Sequence, residues 1–388
     1  MIRVGFLLTL SKEWMGGVNY YKNLFYALSN YCKDDIEIYI FTSNNSDKEL
    51  MSLIEPYVSK VIYTSLLDTK NFKRLIWKSF SKYLNSNIII ENFLQNYKID
   101  VVSHTSVKNL KTIKTISWIP DFQHRHLPQM FSKQDIKIRN KSFLSTIKNS
   151  DLTIVSSNDA KKDLIEFTPK YKDKSRVLQF VSQPENISGL LSKDEILNKY
   201  KLRKGFFYIP NQFWKHKNHL LVFKAAKILK DKNFNLQIVC TGHLNDNRNK
   251  DYISELTDFR KENNLEEDVI LLGLIPYKDV FALMNNSLAV INPSLFEGWS
   301  STVEECKSLN KNMILSNINI HKEQYPEATF FNSTSEKDLA KTIEYYITKN
   351  CVTLSVEKRT EKYASDYLNI VREVLNAENT LALPDFVG

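Results

Sequence analysis

Short runs of aliphatic and β-branched residues alternate with helix-length periodic stretches along nearly the whole chain, and this alternation restricts the fold more than any other feature. A run too short for a helix, apolar throughout and followed by a crossover helix, is the unit of a parallel sheet. In the first half the runs are 2–9 (IRVGFLLT), 36–42, 59–64, 100–104, 113–119, 152–156 and 176–181. Helical patterns fall at 17–31, 71–84, 86–98, 133–149 and 158–167. The second half restarts the alternation with runs at 206–210, 236–241, 269–273, 288–292, 312–316 and 328–331. Its helices fit 217–232, 250–264, 277–285, 301–310 and 335–349. Between the halves, 182–199 (SQPENISGLLSKDEILNK) is polar, carries a Pro and a Gly and has no strand character, so the break is expected there. Two doubly wound α/β domains follow, 1–183 and 200–355, with a last periodic segment, 356–378, expected to pack back on the first. Ligands of such sheets bind beyond the carboxyl ends of the strands. Two facing domains would therefore share a central cleft.

At 388 residues the chain is too long for one ordinary core. Its 43% hydrophobic and 25% charged content is that of a globular protein. Cys32, Cys240, Cys306 and Cys351 are widely spaced without a C-x-x-C pair, which argues against a zinc site or disulfide framework and fits a reducing cytoplasm. The opening MIRVGFLLTL is too short for a signal peptide, and no run of about 18 apolar residues exists to span a membrane. A net charge of +9 suits nucleic acid, an anionic membrane or phosphorylated substrates. No helix-turn-helix spacing, RNA-binding aromatic motif or zinc finger accompanies it, so nucleic acid is not an expected partner.

The chemistry concentrates in 288–316, LAVINPSLFEGWSSTVEECKSLNKNMILS. A strand ends at Asn292-Pro293, a loop runs from Ser294 to Ser300, and a helix begins near Ser301. Exposed amides and the dipole at such a helix start form a site for an anion such as a diphosphate. Ser300, Ser301 and Thr302 add hydroxyl donors. Glu305 lies one turn after Ser301 on the same face, while Glu297 stands in the loop. Carboxylates accept hydrogen bonds in pairs, which suits the vicinal hydroxyls of a ribose or hexose. Spacing alone leaves a second reading open, with Glu304 and Glu305 as solvated helix acids and Glu297 as a loop cap.

The segment from Pro293 to Leu309, PSLFEGWSSTVEECKSL, resembles the E-x7-E signature of family 4 retaining glycosyltransferases, which have the GT-B fold. The matching positions are Pro293, Ser294, Glu297, Gly298, the aromatic Trp299 and Glu305, followed by the strand 312–316. The resemblance implies that Glu297 touches the transferred sugar near the reaction centre and that Glu305 holds the ribose hydroxyls. This chain has Ser-Ser-Thr where many members have Gly-Leu-Pro, so its loop contacts to the sugar differ.

Other segments fall in the family's order. In 206–219, FFYIPNQFWKHKNH, the cations Lys215 and Lys217 crowd a helix start beside the expected cleft, an arrangement that suits a diphosphate and also fits a solvated face. Relatives carry Gly-Arg and then Lys here; Lys217 matches the Lys, but Pro210 and Asn211 stand where the Gly and Arg would be. Gly16-Gly17 precedes the first helix, either as a glycine loop that lets a phosphate approach or as a plain helix-entry turn. In ISWIPDFQHRHLPQMF (116–131), Asp121 matches the Asp of the family's His-Asp pair, while Pro120 replaces the His. His124 or His126 is the candidate to fill that vacancy as an acceptor-side residue, and a structural histidine is the alternative. By resemblance alone, Gly242 marks a turn beside the donor and Leu274 a turn that holds the nucleobase.

The resemblance implies transfer of a hexose-type sugar, with retention, from a nucleoside-diphosphate sugar to a glycan or polyprenyl-diphosphate-linked acceptor. The pathway it implies is surface polysaccharide synthesis, either lipopolysaccharide O-antigen or capsule. No D-x-D pair follows a strand, so neither metal nor cofactor is expected beyond the nucleotide sugar. The segment 71–84, NFKRLIWKSFSKYL, is basic and amphipathic at helical pitch, suited to an anionic membrane surface or to packing with a solvated back. A cytoplasmic protein, peripheral on the inner face of the cell membrane, is the expectation. The competing class is a non-catalytic sugar-nucleotide or glycan-binding module on the same scaffold.

Overall fold

The protein is described here by a computed structural model covering residues 1–12, 15–68, 87–107, 110–183, 189–244, 246, 248–348 and 359–376. The basic segment 71–84 lies outside the described residues. The chain forms two compact units: Met1–Phe122, Lys133–Val181 and Lys358–Gly388 make the first, and Gln123–Ser132 with Ser182–Glu357 the second.

In the first unit seven strands pair in parallel: β1 Ile2–Leu8, β2 Ile36–Ser43, β3 Lys60–Thr64, β4 Val101–Ser103, β5 Lys114–Ile119, β6 Leu152–Val155 and β7 Ser175–Val177. Their order is β3-β2-β1-β4-β5-β6-β7. In the second, β8 Phe207–Ile209, β9 Ile238–Thr241, β10 Val269–Gly273, β11 Val290–Asn292, β12 Met313–Ser316 and β13 Thr329–Phe331 take the order β10-β9-β8-β11-β12-β13. Each sheet is doubly wound, with the chain switching direction between its first strand and the fourth. Every strand expected from the alternation is present, most of them shortened at the ends. The central strands are buried on both faces, as β6, β9, β11 and β12 show, which is why they read as continuous apolar runs.

The helix Arg359–Asn376 places Tyr363, Tyr367, Val371 and Val374 in the core of the first unit, beside Phe6, Phe25 and Ile116. Arg372 Nη2 pairs with Asp35 Oδ1 at 2.6 Å at its edge. The stretch 182–199, where the break between the halves is expected, has no strand among its described residues and runs into a helix, Lys193–Tyr200. Ser192 Oγ accepts from the Glu195 amide while the Glu195 carboxylate accepts from the Ser192 amide, a capping box that outweighs the polar composition. Asp279, from the helix Tyr277–Asn286, holds this helix through Lys199 Nζ at 2.6 Å and Tyr200 Oη at 2.5 Å. Among the described residues no helix is long and apolar enough to cross a membrane.

Candidate functional site

Strands β8, β11 and β12 are neighbours in the second sheet, so the residues just beyond their carboxyl ends meet: 210–218, 293–300 and 317–324. The gap between β8 and β11 is the switch point of that sheet, where a doubly wound fold opens a crevice.

A buried polar knot fixes this edge. Asn292 Oδ1 accepts from Ser294 Oγ at 2.7 Å and from Asn211 Nδ2 at 3.1 Å. Asn292 Nδ2 donates to Ser300 Oγ at 3.0 Å, and Thr302 Oγ1 donates to Asn211 Oδ1 at 3.1 Å. All five residues are buried. Asn211 therefore does not replace a missing arginine as a charge; it splices β8 to β11 and to the helix Ser301–Ser308. Ser300 and Thr302, expected to offer hydroxyls to a ligand, spend them on this knot. The Ser300 amide donates to Gln324 Oε1 at 3.0 Å and the Val303 amide to Ser300 Oγ at 3.4 Å. The amides of Ser301 and Thr302 are the donors left for an anion at this helix start.

The lysine turn is set by backbone geometry. Lys215–Lys217 form one 3-10 turn, and Asn218 breaks out of it at φ 59° before the helix His219–Asp231 starts. Asn tolerates that left-handed conformation better than most residues. Its Nδ2 donates to Pro293 O at 3.2 Å and Ser333 O at 3.0 Å, and the Leu295 amide donates to His216 O at 2.8 Å. The turn is thus tied to the loop that carries Glu297. Lys217 Nζ then meets Glu297 Oε1 at 2.6 Å, with only 14% and 9% of the two side chains exposed. Ser294 Oγ donates to the same oxygen at 2.6 Å. Burial works against ionisation of Glu297, but the Lys217 charge and its hydrogen bonds outweigh it and hold the carboxyl at about 2. Lys215 points its side chain to solvent, while its amide donates to Asp246 Oδ2 at 3.0 Å.

Glu305 behaves in the opposite way. It is buried on the helix Ser301–Ser308, accepts from Tyr277 Oη at 2.9 Å, and burial pushes its carboxyl up to about 7. Glu304 is buried too, bonded to Gln324 Nε2 at 3.0 Å and Lys307 Nζ at 3.1 Å. Neither acid is a solvated helix residue, and Glu297 is not a plain loop cap. The two diagnostic acids sit in one unit with opposite proton affinities.

Gly298 follows Glu297 in the half-buried part of the same loop. Gly242, at the end of β9, has φ 140°, and a Cβ there would lie 2.4 Å from Asn211 O. Its amide donates to Gly273 O at 2.9 Å, so the turns at Gly242 and Leu274 are adjacent to one another and to Asn211. Leu274 is 69% exposed, an apolar side chain open to solvent on that edge.

In the first unit Gly16 and Gly17 do not precede a helix but belong to the first turn of Met15–Tyr31. A Cβ on Gly16 would meet nothing within 4 Å, so the position leaves open space beside the helix start. Asp121 follows β5 in the first unit, whereas His124 belongs to the second, so the two are not brought into one unit. The His124 ring has no exposed surface and lies edge-on to Phe131 at 6.4 Å, the environment of a packed histidine. His126 is exposed, its ring 5.1 Å from that of Phe296, the neighbour of Glu297.

Residues 192–366 match the family of glycosyl transferases group 1. The match takes in most of the second unit and the start of the helix Arg359–Asn376. The chain is 23% identical over 277 residues to the O-antigen chain mannosyltransferase RfbU of Salmonella typhimurium, spanning 71% of this chain and 72% of that one. Among solved structures it is similar to Anabaena Alr3699/HepE in complex with UDP and glucose, with a TM-score of 0.67 at 15% identity over 98% of this chain and all (100%) of that one. It is also similar to the lipopolysaccharide outer core galactosyltransferase WaaB in its apo form, with a TM-score of 0.60 at 14% identity over 97% and 100%. Both units have the Rossmann-like α/β fold, and these neighbours share it as GT-B structures. Tyr277, which bonds Glu305, Asn218, which ties the lysine turn to the Glu297 loop, and Gln324, which holds Ser300 and Glu304, were not singled out in the sequence; each acts on a partner distant along the chain.

Proposed function

We propose that this protein is a retaining glycosyltransferase of family 4 type, moving a hexose-type sugar from a nucleoside-diphosphate sugar to a glycan or lipid-linked glycan in surface-polysaccharide synthesis. The observation that carries the reading is the buried Lys217–Glu297 pair beside the start of the helix that bears Glu305. As the glycosidic bond of the donor breaks, charge builds on the leaving β-phosphate. Lys217, with the amides of Ser301 and Thr302 and the exposed Lys215 nearby, would stabilise that charge where it develops. Glu297, ionised throughout the neutral range, would accept hydrogen bonds from sugar hydroxyls. Glu305, protonated or ionised near neutrality, would grip the ribose, and Leu274 with the Gly242 turn would border the base. The acceptor attacks from the face the phosphate leaves, with the phosphate as base and Asp121 on the acceptor side. No metal is required in this scheme. The mannosyl and galactosyl transfers in the names of the relatives, and the UDP and glucose in HepE, support a nucleotide sugar as donor and a surface glycan as product.

Incubation with a panel of UDP-, GDP- and ADP-sugars, with nucleotide release as the readout, tests this. Release with at least one donor is expected. Glu297→Gln should lower it at least about tenfold, roughly 1.4 kcal/mol of barrier, with the circular dichroism spectrum unchanged. Nucleotide binding without release, acceptor supplied, would instead identify a sugar-nucleotide-binding module.

A further inference from the structure

Ten residues from the first half of the chain, Gln123–Ser132, group with the second unit. A side chain from the loop after β9 grips them. Arg248 Nη1 donates to Gln123 Oε1 at 3.0 Å. Its guanidinium lies 5.0 Å from the centroid of the Phe131 ring and 5.8 Å from that of Trp214. The plane of a guanidinium can face aromatic rings while its edge donates hydrogen bonds, which an ammonium cannot do. Asp246 fixes the base of the grip. Its side chain is 2% exposed, its Oδ1 accepts from the Arg248 amide at 3.0 Å and lies 3.8 Å from Arg248 Nε. The other oxygen of Asp246 accepts from the Lys215 amide at 3.0 Å, so one buried acid anchors both the arginine and the lysine turn.

From that grip the segment runs on to the short helix Gln123–His126 and its exposed His126, whose ring lies against Phe296. Phe296 precedes Glu297, whose carboxylate is held by Lys217 and Ser294. A piece of chain encoded with the first unit is in this way delivered to the edge of the Glu297 site.

We propose that Arg248 is a positioning residue that latches Gln123–Ser132 onto the second unit and so holds His126 over Phe296 as the acceptor-facing edge of the Glu297 site. The acceptor part of this statement rests on the function proposed above; the latch does not. Arg248 itself touches no reacting atom in this scheme. Its effect reaches the acceptor through Gln123, Phe131 and the backbone between them.

Hydrogen exchange on the full chain, followed by mass spectrometry, tests the latch. In Arg248→Met the amides of 123–132 should exchange at least about tenfold faster, while those of the helix His219–Asp231 keep their wild-type rates. Gln123→Ala, which removes the hydrogen bond to Arg248 and leaves the guanidinium against Phe131 and Trp214, should give a smaller acceleration in the same peptide, and Arg248→Lys should recover part of the protection. Transfer to octyl α-mannoside and octyl β-glucoside, with the donor that the wild type turns over, tests the positioning. The acceptor KM of Arg248→Met should rise at least about fivefold while the affinity for the free nucleoside diphosphate stays within about twofold. Unchanged exchange in 123–132, or acceleration spread equally over 219–231, would overturn the latch. Faster exchange in 123–132 with an unaltered acceptor KM would overturn the positioning role. A wild type that releases no nucleotide from any donor, yet shows the local exchange response, would sink the transferase reading and leave the latch standing.

Discussion

Lys217 and Glu297 meet 2.6 Å apart with little of either side chain exposed, so each charge is compensated chiefly by the other. Removing one member of such a pair leaves the partner buried and alone, which costs on the order of 3–5 kcal/mol. Lys217→Met should therefore raise the Glu297 carboxyl from about 2 towards or above its ordinary value. The wild-type group, with its depressed folded-state value, contributes stability that is present above about 4.5 and lost as the pH falls towards 2. In the variant that contribution disappears, so urea denaturation should show a larger deficit at pH 7 than at pH 3. Donor affinity, measured by calorimetry, should fall as well; an unchanged affinity would remove Lys217 from the site. Glu305 gives the reverse signature. Its folded-state value, about 7, lies above the ordinary 4.5, so its stabilising contribution is complete below about 4.5 and lost as the pH rises through 7. Glu305→Gln should make the empty protein more stable at pH 8, by up to about 3 kcal/mol, and leave it nearly unchanged at pH 4. The same substitution should weaken donor binding, which separates the role of the acid from its cost.

At the scale of elements, the site depends on turns that bring three strand ends together. Gly242 shows how tight this is: at φ 140°, with a Cβ position 2.4 Å from Asn211 O, any side chain would push β9 away from the turn after β8. Gly242→Ala should destabilise the second unit by at least about 2 kcal/mol in denaturant unfolding and weaken nucleotide binding alongside. Equal stability would mean that the two turns can separate freely. The strands themselves were legible in the sequence, because buried parallel strands write themselves as apolar runs. The E-x7-E acids were legible too, since loop and helix start are adjacent in the chain. What surrounds them was not. Asn211 pairs with Asn292 and Thr302 across more than eighty residues, and neither asparagine differs in composition from a loop residue. Ser300 and Thr302 looked like free donors because the sequence shows hydroxyls but not what they bond. The helix Lys193–Tyr200 did carry a local signal, Ser192 and Glu195 in capping-box spacing, that polar composition masked. Tyr277 reached Glu305 only through the fold.

At the scale of the whole molecule, the first unit is closed by the last helix. Arg359–Asn376 supplies Tyr363, Ala364, Tyr367, Leu368, Ile370, Val371 and Val374 to the core built on β1, β4 and β5. A chain truncated before 359 should lose exchange protection in those strands and expose apolar surface to a dye such as ANS, with the helix His219–Asp231 still protected. Protection of β1 retained in the truncated chain would show that the helix merely covers a finished core. The order in which the chain leaves the ribosome then sets an unusual schedule. The second unit has all its residues once 357 has been made, whereas the first, although its strands come earlier in the chain, waits for 359–376. Of the two units, the one whose strands emerge earlier is completed later, so while the second unit is being made its aromatic interior lacks this cover and depends on chaperones or on speed to avoid sticking.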